Sequence, residues 1–221
     1  MRRIRKGPEP EAWKEYRLST PGATFDGAPK KKLREALLAE QGHLCCYCMR
    51  RIEEETTRIE HRRPREVLRQ RRPGEKYDEF SYRNLLAACQ GGEGLAYEDQ
   101  HCDVRKHNEE ITVDPTDPAR DVESLIRYSA SGELRSDDEQ IQRDLAVTLN
   151  LNLQTLKDAR LAVLDGFRAV FERKHQGEWS TDIIERELKK WTDIPRGGKL
   201  TSYAGVVVHY LRRRLQRATK R

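Results

Sequence analysis

Cys45-Cys46-Tyr47-Cys48, then Thr57-Arg58-Ile59-Glu60-His61-Arg62-Arg63-Pro64, then Tyr82-Arg83-Asn84-Leu85-Leu86 and Cys89, and last His101-Cys102-Asp103-Val104-Arg105-Lys106: this order of residues decides the reading of the chain. Five cysteines is an odd number, which argues against a disulfide framework. Four of them, Cys45, Cys48, Cys89 and Cys102, have the chemistry of a closed four-thiolate zinc site, and Cys46 is left over as a small buried thiol. Thr57-Arg58-Ile59 reads as a β-strand running into Glu60-His61. Neighbouring side chains on a strand point to opposite faces, so Glu60 and His61 converge only if the strand bends or ends there, as Pro64 suggests. Leu85–Cys89 is open to a reading as a short helix that Asn84 caps.

These residue types suit metal-assisted phosphodiester hydrolysis. An anionic diester with a poor leaving group needs a divalent cation on the phosphate, a base for the water, and positive charge around the site. His61 is the expected general base, since its unperturbed pKa suits proton abstraction near neutrality. Glu60 and Asp103 are hard oxygen donors for one Mg²⁺, with His107, one turn along the same helix face, as the alternative to Asp103. Asn84 is expected to hold the His61 loop through backbone hydrogen bonds. From Arg58 to Arg72 the chain carries seven arginines (58, 62, 63, 65, 69, 71 and 72), and Arg62, Arg63, Arg65 and Lys106 are the expected phosphate contacts. Lys30-Lys31-Lys32 and Arg34 extend that basic footprint; the six basic residues of 212–221 are open between a solvated face and a second contact.

Around this segment the organisation is simple. Length (221 residues) allows one domain or two small ones; with 36% hydrophobic against 36% charged residues the core must be thin. Residues 1–28 read as a tail or a strapped-on arm with Trp13 and Tyr16 as anchors, and Pro29–Glu40 as a short helix closed by Gly42. Asp114-Pro115-Thr116-Asp117-Pro118 marks a break. Beyond it the apolar spacing is helical: a run capped by Asp137, a long one from Leu153 to Phe171, one over 180–191 and a last one over 201–217. The expected division is an arm at 1–28, a zinc-stapled nuclease domain at 29–113 and a helical, partner-binding region at 114–221. His175 and His209 receive no chemistry. No apolar run reaches the ~20 residues of a membrane span, and the basic start lacks the apolar segment of a secretory signal, so a cytoplasmic protein with no membrane contact is expected.

At Glu60-His61, Asn84, Asp103 and Lys106 the chain resembles the HNH endonucleases, an α+β family with a ββα-metal core. The departures are the twelve-residue gap between Cys89 and Cys102, where a tight C-x-x-C is common, and Asp103 in place of the last His or Asn. More narrowly, with Asp114-Pro115-Thr116 and Thr148-Leu149-Asn150-Leu151-Asn152, residues 30–215 resemble the HNH component of Septu anti-phage systems and related retrons. The resemblance implies a defence nuclease, DNA favoured and RNA (including tRNA) possible, partnered by an ABC/SMC-like ATPase and, in a retron, by a reverse transcriptase and its RNA. A non-catalytic zinc module that docks on nucleic acid is the alternative from another class. The apolar stripe Tyr203, Val207, Tyr210, Leu211 and Leu215 is open between packing on the long helix and docking on the ATPase.

Overall fold

A computed structural model describes residues 1–69, 79–195 and 198–219, and shows an α+β chain built on two small antiparallel sheets and a set of helices. In chain order the helices and strands are α1 (Glu11–Ser19), α2 (Lys30–Gln41), β1 (Arg58–His61), α3 (Arg65–Arg69), β2 (Leu85–Ala88), α4 (Cys102–Lys106), α5 (Val122–Leu125), β3 (Arg127–Tyr128), β4 (Leu134–Arg135), α6 (Glu139–Arg143), α7 (Gln154–Lys174), α8 (Thr181–Thr192) and α9 (Ala204–Ala218). Arg71 and Arg72 of the arginine run lie outside the described residues, as do Lys220 and Arg221.

The central pairing is β1 with β2, antiparallel, in the register Arg58↔Ala88, Ile59↔Ala87, Glu60↔Leu86 and His61↔Leu85. Leu85–Ala88 is therefore a strand, not a helix capped by Asn84. A four-residue apolar run carries no period of its own, and the partner strand decides its conformation. All four of its residues are buried in the main core, with α2 packed against the strand. Helix α2 ends as expected, with Gly42 in the left-handed region (φ 60). α6 is capped by Asp138, one residue beyond the expected Asp137: its carboxylate accepts from the amides of Gln140 and Ile141. Asp137 instead pairs with Arg127.

The N-terminal residues are packed into the main core. Met1, Ile4, Trp13 and Phe25 are buried, and the Trp13 indole donates to the Phe80 carbonyl at 2.9 Å. That core also takes Leu85–Ala88 and, from beyond residue 114, Ile141, Leu145 and Leu151, so the three expected divisions share one apolar cluster. A second cluster joins α7, α8 and α9 through Phe167, Phe171, Ile184, Val206, Val207 and Leu211. The stripe on the last helix thus faces inward: Val207 and Leu211 are fully buried. Among the described residues no helix is long and apolar enough to cross a membrane.

Candidate metal centre and active-site cleft

The four cysteines meet. Their sulfurs all lie within 4.8 Å of one another, with Cys45 Sγ 3.8 Å from Cys102 Sγ and Cys48 Sγ 3.7 Å from Cys89 Sγ. A tetrahedral ion with ~2.3 Å metal–sulfur bonds sets its sulfurs about 3.8 Å apart. The cluster can therefore bind a metal ion such as zinc, and with all four thiols buried the site is closed. Burial opposes ionisation of Cys45, but hydrogen bonds from Cys102 and the other thiols hold it well below the ordinary thiol value. Cys46 is not one of the four; it is buried, and burial pushes its pKa up.

The knuckle is shaped locally by strained backbone. Met49, just past Cys48, and Cys102 both adopt positive φ (67° and 58°). Gly91 (φ 58) lets His101 close the long loop between Cys89 and Cys102, since a Cβ there would collide with the His101 carbonyl. His101 is buried beside the cluster, its Nδ1 3.1 Å from Cys102 Sγ, and burial keeps its ring neutral. The same loop is held from the far half of the chain. Asn150 donates to the carbonyls of Glu98 (2.8 Å) and Gln100 (2.9 Å), and the Cys102 amide donates to Leu149 at 2.9 Å. Asn152 clasps the amide and carbonyl of Leu134 in the same way. Two asparagines within a buried leucine run are the sequence signal for this brace. Sequence reasoning misses it, because a division at residue 114 puts the motif in a different region from the cysteines.

Beside this centre, β1, α3 and α4 with its cap bring the remaining residues to one cleft of about 410 Å³, lined by Arg58, Glu60, His61, Arg65, Asp103 and His107, among others. β1 ends at His61, which is what allows adjacent Glu60 and His61 to face the same space. His61 is buried: its ring meets Phe25 edge-on at 4.4 Å. Its Nε2 lies 2.9 Å from the Glu79 carbonyl, which only accepts, so Nε2 carries the proton and Nδ1 is the free base. Burial lowers its pKa to about 4.

Asn84 does not face the cleft; it is 2% exposed. Its side chain accepts from the Arg63 amide (2.9 Å) and donates to the Arg63 carbonyl (3.0 Å), while its own carbonyl accepts from the Arg62 amide. It extends the β1–β2 pairing by one side-chain rung and fixes the turn that follows His61.

Glu60, buried, and Asp103, half-buried, form a carboxyl pair. Desolvation, and then the negative charge of Asp103, raise the Glu60 pKa well above the usual carboxylate range. Burial works against Asp103 too, but hydrogen bonds from Glu60 and Arg58 hold it below its ordinary value. The two shifts run in opposite directions, so the pair is electrostatically coupled. Glu60 Oε1 accepts from the Tyr47 hydroxyl (2.7 Å) and Lys106 Nζ (2.8 Å), and Asp103 Oδ2 from Arg58 (2.7 Å). Glu60 Oε2 and Asp103 Oδ1 are the oxygens not taken by those donors. His107 is not on the Asp103 helix face; it caps α4 with φ 50 and borders the cleft from outside the helix.

Lys106, expected at a phosphate, is not there. It is fully buried, with its ammonium on Glu60 and on the His61 carbonyl (3.2 Å). A lysine at that depth must keep a counter-charge, and Glu60 is the one within reach. The arginines expected beside it are likewise engaged: Arg62 with Asp114 (3.1 Å), Arg63 with Glu110 (3.1 Å), Arg65 with Asp26 (3.3 Å) and Arg69 with Glu79 (3.7 Å).

No protein-family model, curated protein or solved structure gives a significant match to this chain.

Proposed function

We propose that the chain is an HNH-type, metal-dependent endonuclease that hydrolyses phosphodiester bonds of nucleic acid, with DNA as the first substrate. One observation carries the reading: a histidine with a free, unprotonated Nδ1 and a carboxyl pair border one cleft, on a β-hairpin and helix attached to a four-cysteine cage. The His61 ring is oriented by the Glu79 carbonyl and its loop by Asn84, so Nδ1 can take a proton from water. That water attacks phosphorus in line with the 3′ oxygen, leaving a 5′-phosphate and a 3′-hydroxyl. Arg58 and Arg65 border the path of the diester and oppose its charge.

Glu60 and Asp103 fit a divalent cation such as Mg²⁺. Both are hard oxygen donors on one cleft, and each keeps an oxygen that Tyr47, Lys106 and Arg58 do not take. When bound, Mg²⁺ supplies Lewis-acid stabilisation of the charge that develops on the phosphate and leaving oxygen. The four-cysteine cage would hold structural zinc, since it leaves no open position for chemistry.

The resemblance to Septu and retron nucleases adds an ABC/SMC-like ATPase as partner and a defence role. Val207 and Leu211 of the α9 stripe are buried in the core, which favours the packing reading of that stripe over docking. A ribonuclease acting on tRNA-like substrates is the second reading within the same chemistry.

The test is to incubate purified protein with supercoiled plasmid and, separately, with tRNA, with and without added Mg²⁺, alongside His61→Gln. The expected result is Mg²⁺-dependent cutting of one substrate, lost in the variant, with ends that ligase can reseal on DNA. No cutting of either substrate, or cutting at wild-type rate by the variant, refutes the assignment.

A further inference from the structure

The two basic runs of the sequence have opposite fates in the fold. Every described arginine of the Arg58–Arg69 run has a carboxylate within ion-pair distance, drawn from Asp26, Glu79, Glu93, Asp103, Glu110 or Asp114. On α9, Arg212 pairs with Glu123 at 2.7 Å, but among the described residues no carboxylate lies within ion-pair distance of Arg213, Arg214 or Arg217. At about 100° per residue, these three fall within one arc of roughly 100° on the helix, together with Val206 and Tyr210. The arc forms one wall of an open groove of about 240 Å³, whose other wall is the β3 edge at Tyr128–Ala130.

Three like charges on adjacent turns repel one another, and a fold that leaves them together gains nothing from it internally. Among the described residues no carboxylate offsets them by ion pairing. Arg168 lies near the same Tyr210 ring, but its charge is matched by Asp165 (3.8 Å) and Glu172 (3.6 Å). What holds the guanidinium of Arg214 in place is aromatic: it stands 4.8 Å from the Trp179 ring centre and 5.4 Å from that of Tyr210. An arginine fixed by stacking keeps its N–H edges free for an anion. His209 at the rim adds no charge, because burial and the adjacent arginines lower its pKa.

We propose that this α9 groove is a nucleic-acid-binding surface, in which Arg213, Arg214 and Arg217 grip consecutive backbone phosphates, and that it, rather than Arg62, Arg63 and Arg65, supplies most of the electrostatic affinity for substrate. Unpaired cations release counter-ions from a phosphate backbone; cations already matched by carboxylates have little to release. The inference rests on the reading of the chain as one that acts on nucleic acid, but not on the chemistry assigned to the cleft.

The experiment is equilibrium binding of a fluorescein-labelled 30-base-pair DNA duplex and of a labelled tRNA, without divalent cation, over a series of salt concentrations. Wild type is compared with Arg213→Gln/Arg214→Gln/Arg217→Gln and with Arg62→Gln/Arg63→Gln/Arg65→Gln, each checked by circular dichroism and thermal melting. Removing one cation from a duplex phosphate lowers the slope of log K against log salt by about 0.9, so the α9 variant should lose up to about 2.7 in slope, and the other variant much less. If the α9 variant cannot be obtained folded, charge reversal at Arg217 alone, the outermost of the three, is compared on the same plot and should reduce the slope by at least that of one phosphate. An unchanged slope in the α9 variant overturns the proposal. So does a wild-type protein that binds neither probe, which would assign the face to an acidic protein or lipid. Failure of the nuclease reading appears elsewhere, as binding without Mg²⁺-dependent cutting.

Discussion

Tyr47 donates its hydroxyl to Glu60 Oε1 across 2.7 Å, with both side chains buried, and so ties the metal knuckle to the cleft. Tyr47 stands between Cys46 and Cys48, so its backbone is fixed by the same turn that holds the cysteines. Burial and the adjacent Glu60 push its own pKa well up, which keeps it a hydrogen-bond donor throughout the working range. The contact explains how a closed cage with no chemistry of its own can set the position of a carboxylate beyond it.

Tyr47→Phe removes that bond and little else. A buried hydrogen bond to an acidic group is worth about 1.5–3 kcal/mol, and without it Glu60 is held by Lys106 and Asp103 alone. The expected outcome is a Tm lowered by several degrees, an unchanged metal content and a slower cleavage reaction that needs more Mg²⁺ for half-maximal rate. A variant with wild-type Mg²⁺ dependence would show that Tyr47 does not position Glu60.

His61 gives a prediction in pH. Its folded pKa of about 4 lies below the unfolded value near 6.5, so between those values the unfolded chain binds the extra proton. The stability due to neutral His61 is therefore complete above about 6.5 and is lost as pH falls toward 4, a difference of roughly 3 kcal/mol. Urea midpoints of wild type and His61→Gln, measured without added divalent cation, should converge over that window; other acid-labile groups cancel in the comparison. Parallel curves would mean that His61 is not buried neutral. Because the base form persists in acid, the cleavage rate should also show no acid limb near pH 6.5.

Some of this is readable in the sequence and some is not, for a physical reason in each case. Four soft donors with a C-x-x-C at one end have few uses besides a metal, so Cys45, Cys48, Cys89 and Cys102 can be grouped before any fold is known. The strand running into Glu60-His61 is similarly plain from its pattern. Lys106 is misplaced because a lysine reads as surface until its partner is known, and that partner, Glu60, is far off in sequence. The arginines after Arg58 read as a phosphate contact because their carboxylates lie elsewhere in the chain, at Asp26, Glu110 and Asp114. Burial of His61 under Phe25 depends on how residues 1–28 pack, and their sparse apolar pattern does not reveal it.

Cys48→Ser should cost the metal and the fold together, since removing a ligand opens a site whose binding energy is folding energy. Elemental analysis is expected to give about one zinc per wild-type chain and much less in the variant. The effect should reach α9. The Tyr203 amide donates to the Met49 carbonyl at 2.8 Å, and Arg51 donates to the Leu200 carbonyl, so the start of the last helix is built on the knuckle. Hydrogen exchange at the Tyr203 amide should therefore accelerate when zinc is chelated from the wild-type protein. A folded, zinc-free protein with Tyr203 still protected would remove the structural role of the four-cysteine site.

Asn150 tests whether the second half of the chain braces that site. Its amide satisfies two carbonyls, of Glu98 and Gln100, in the loop that must bring Cys102 back to Cys89. It does so from the left-handed region (φ 46), which asparagine tolerates better than most residues. Asn150→Ala therefore loses both the bonds and the backbone preference, whereas Asn150→Gly loses the bonds alone. Groups that orient metal ligands from outside typically change affinity by about 10–100-fold, and the loss here should sit near the lower figure, because the loop keeps the His101–Gly91 backbone bond at 2.8 Å. Competition with a chromogenic chelator should show zinc held about tenfold more weakly in Asn150→Gly, with Tm lowered by a few degrees. Zinc held as tightly as in wild type would mean that the loop orders itself and that Asn150 only decorates it.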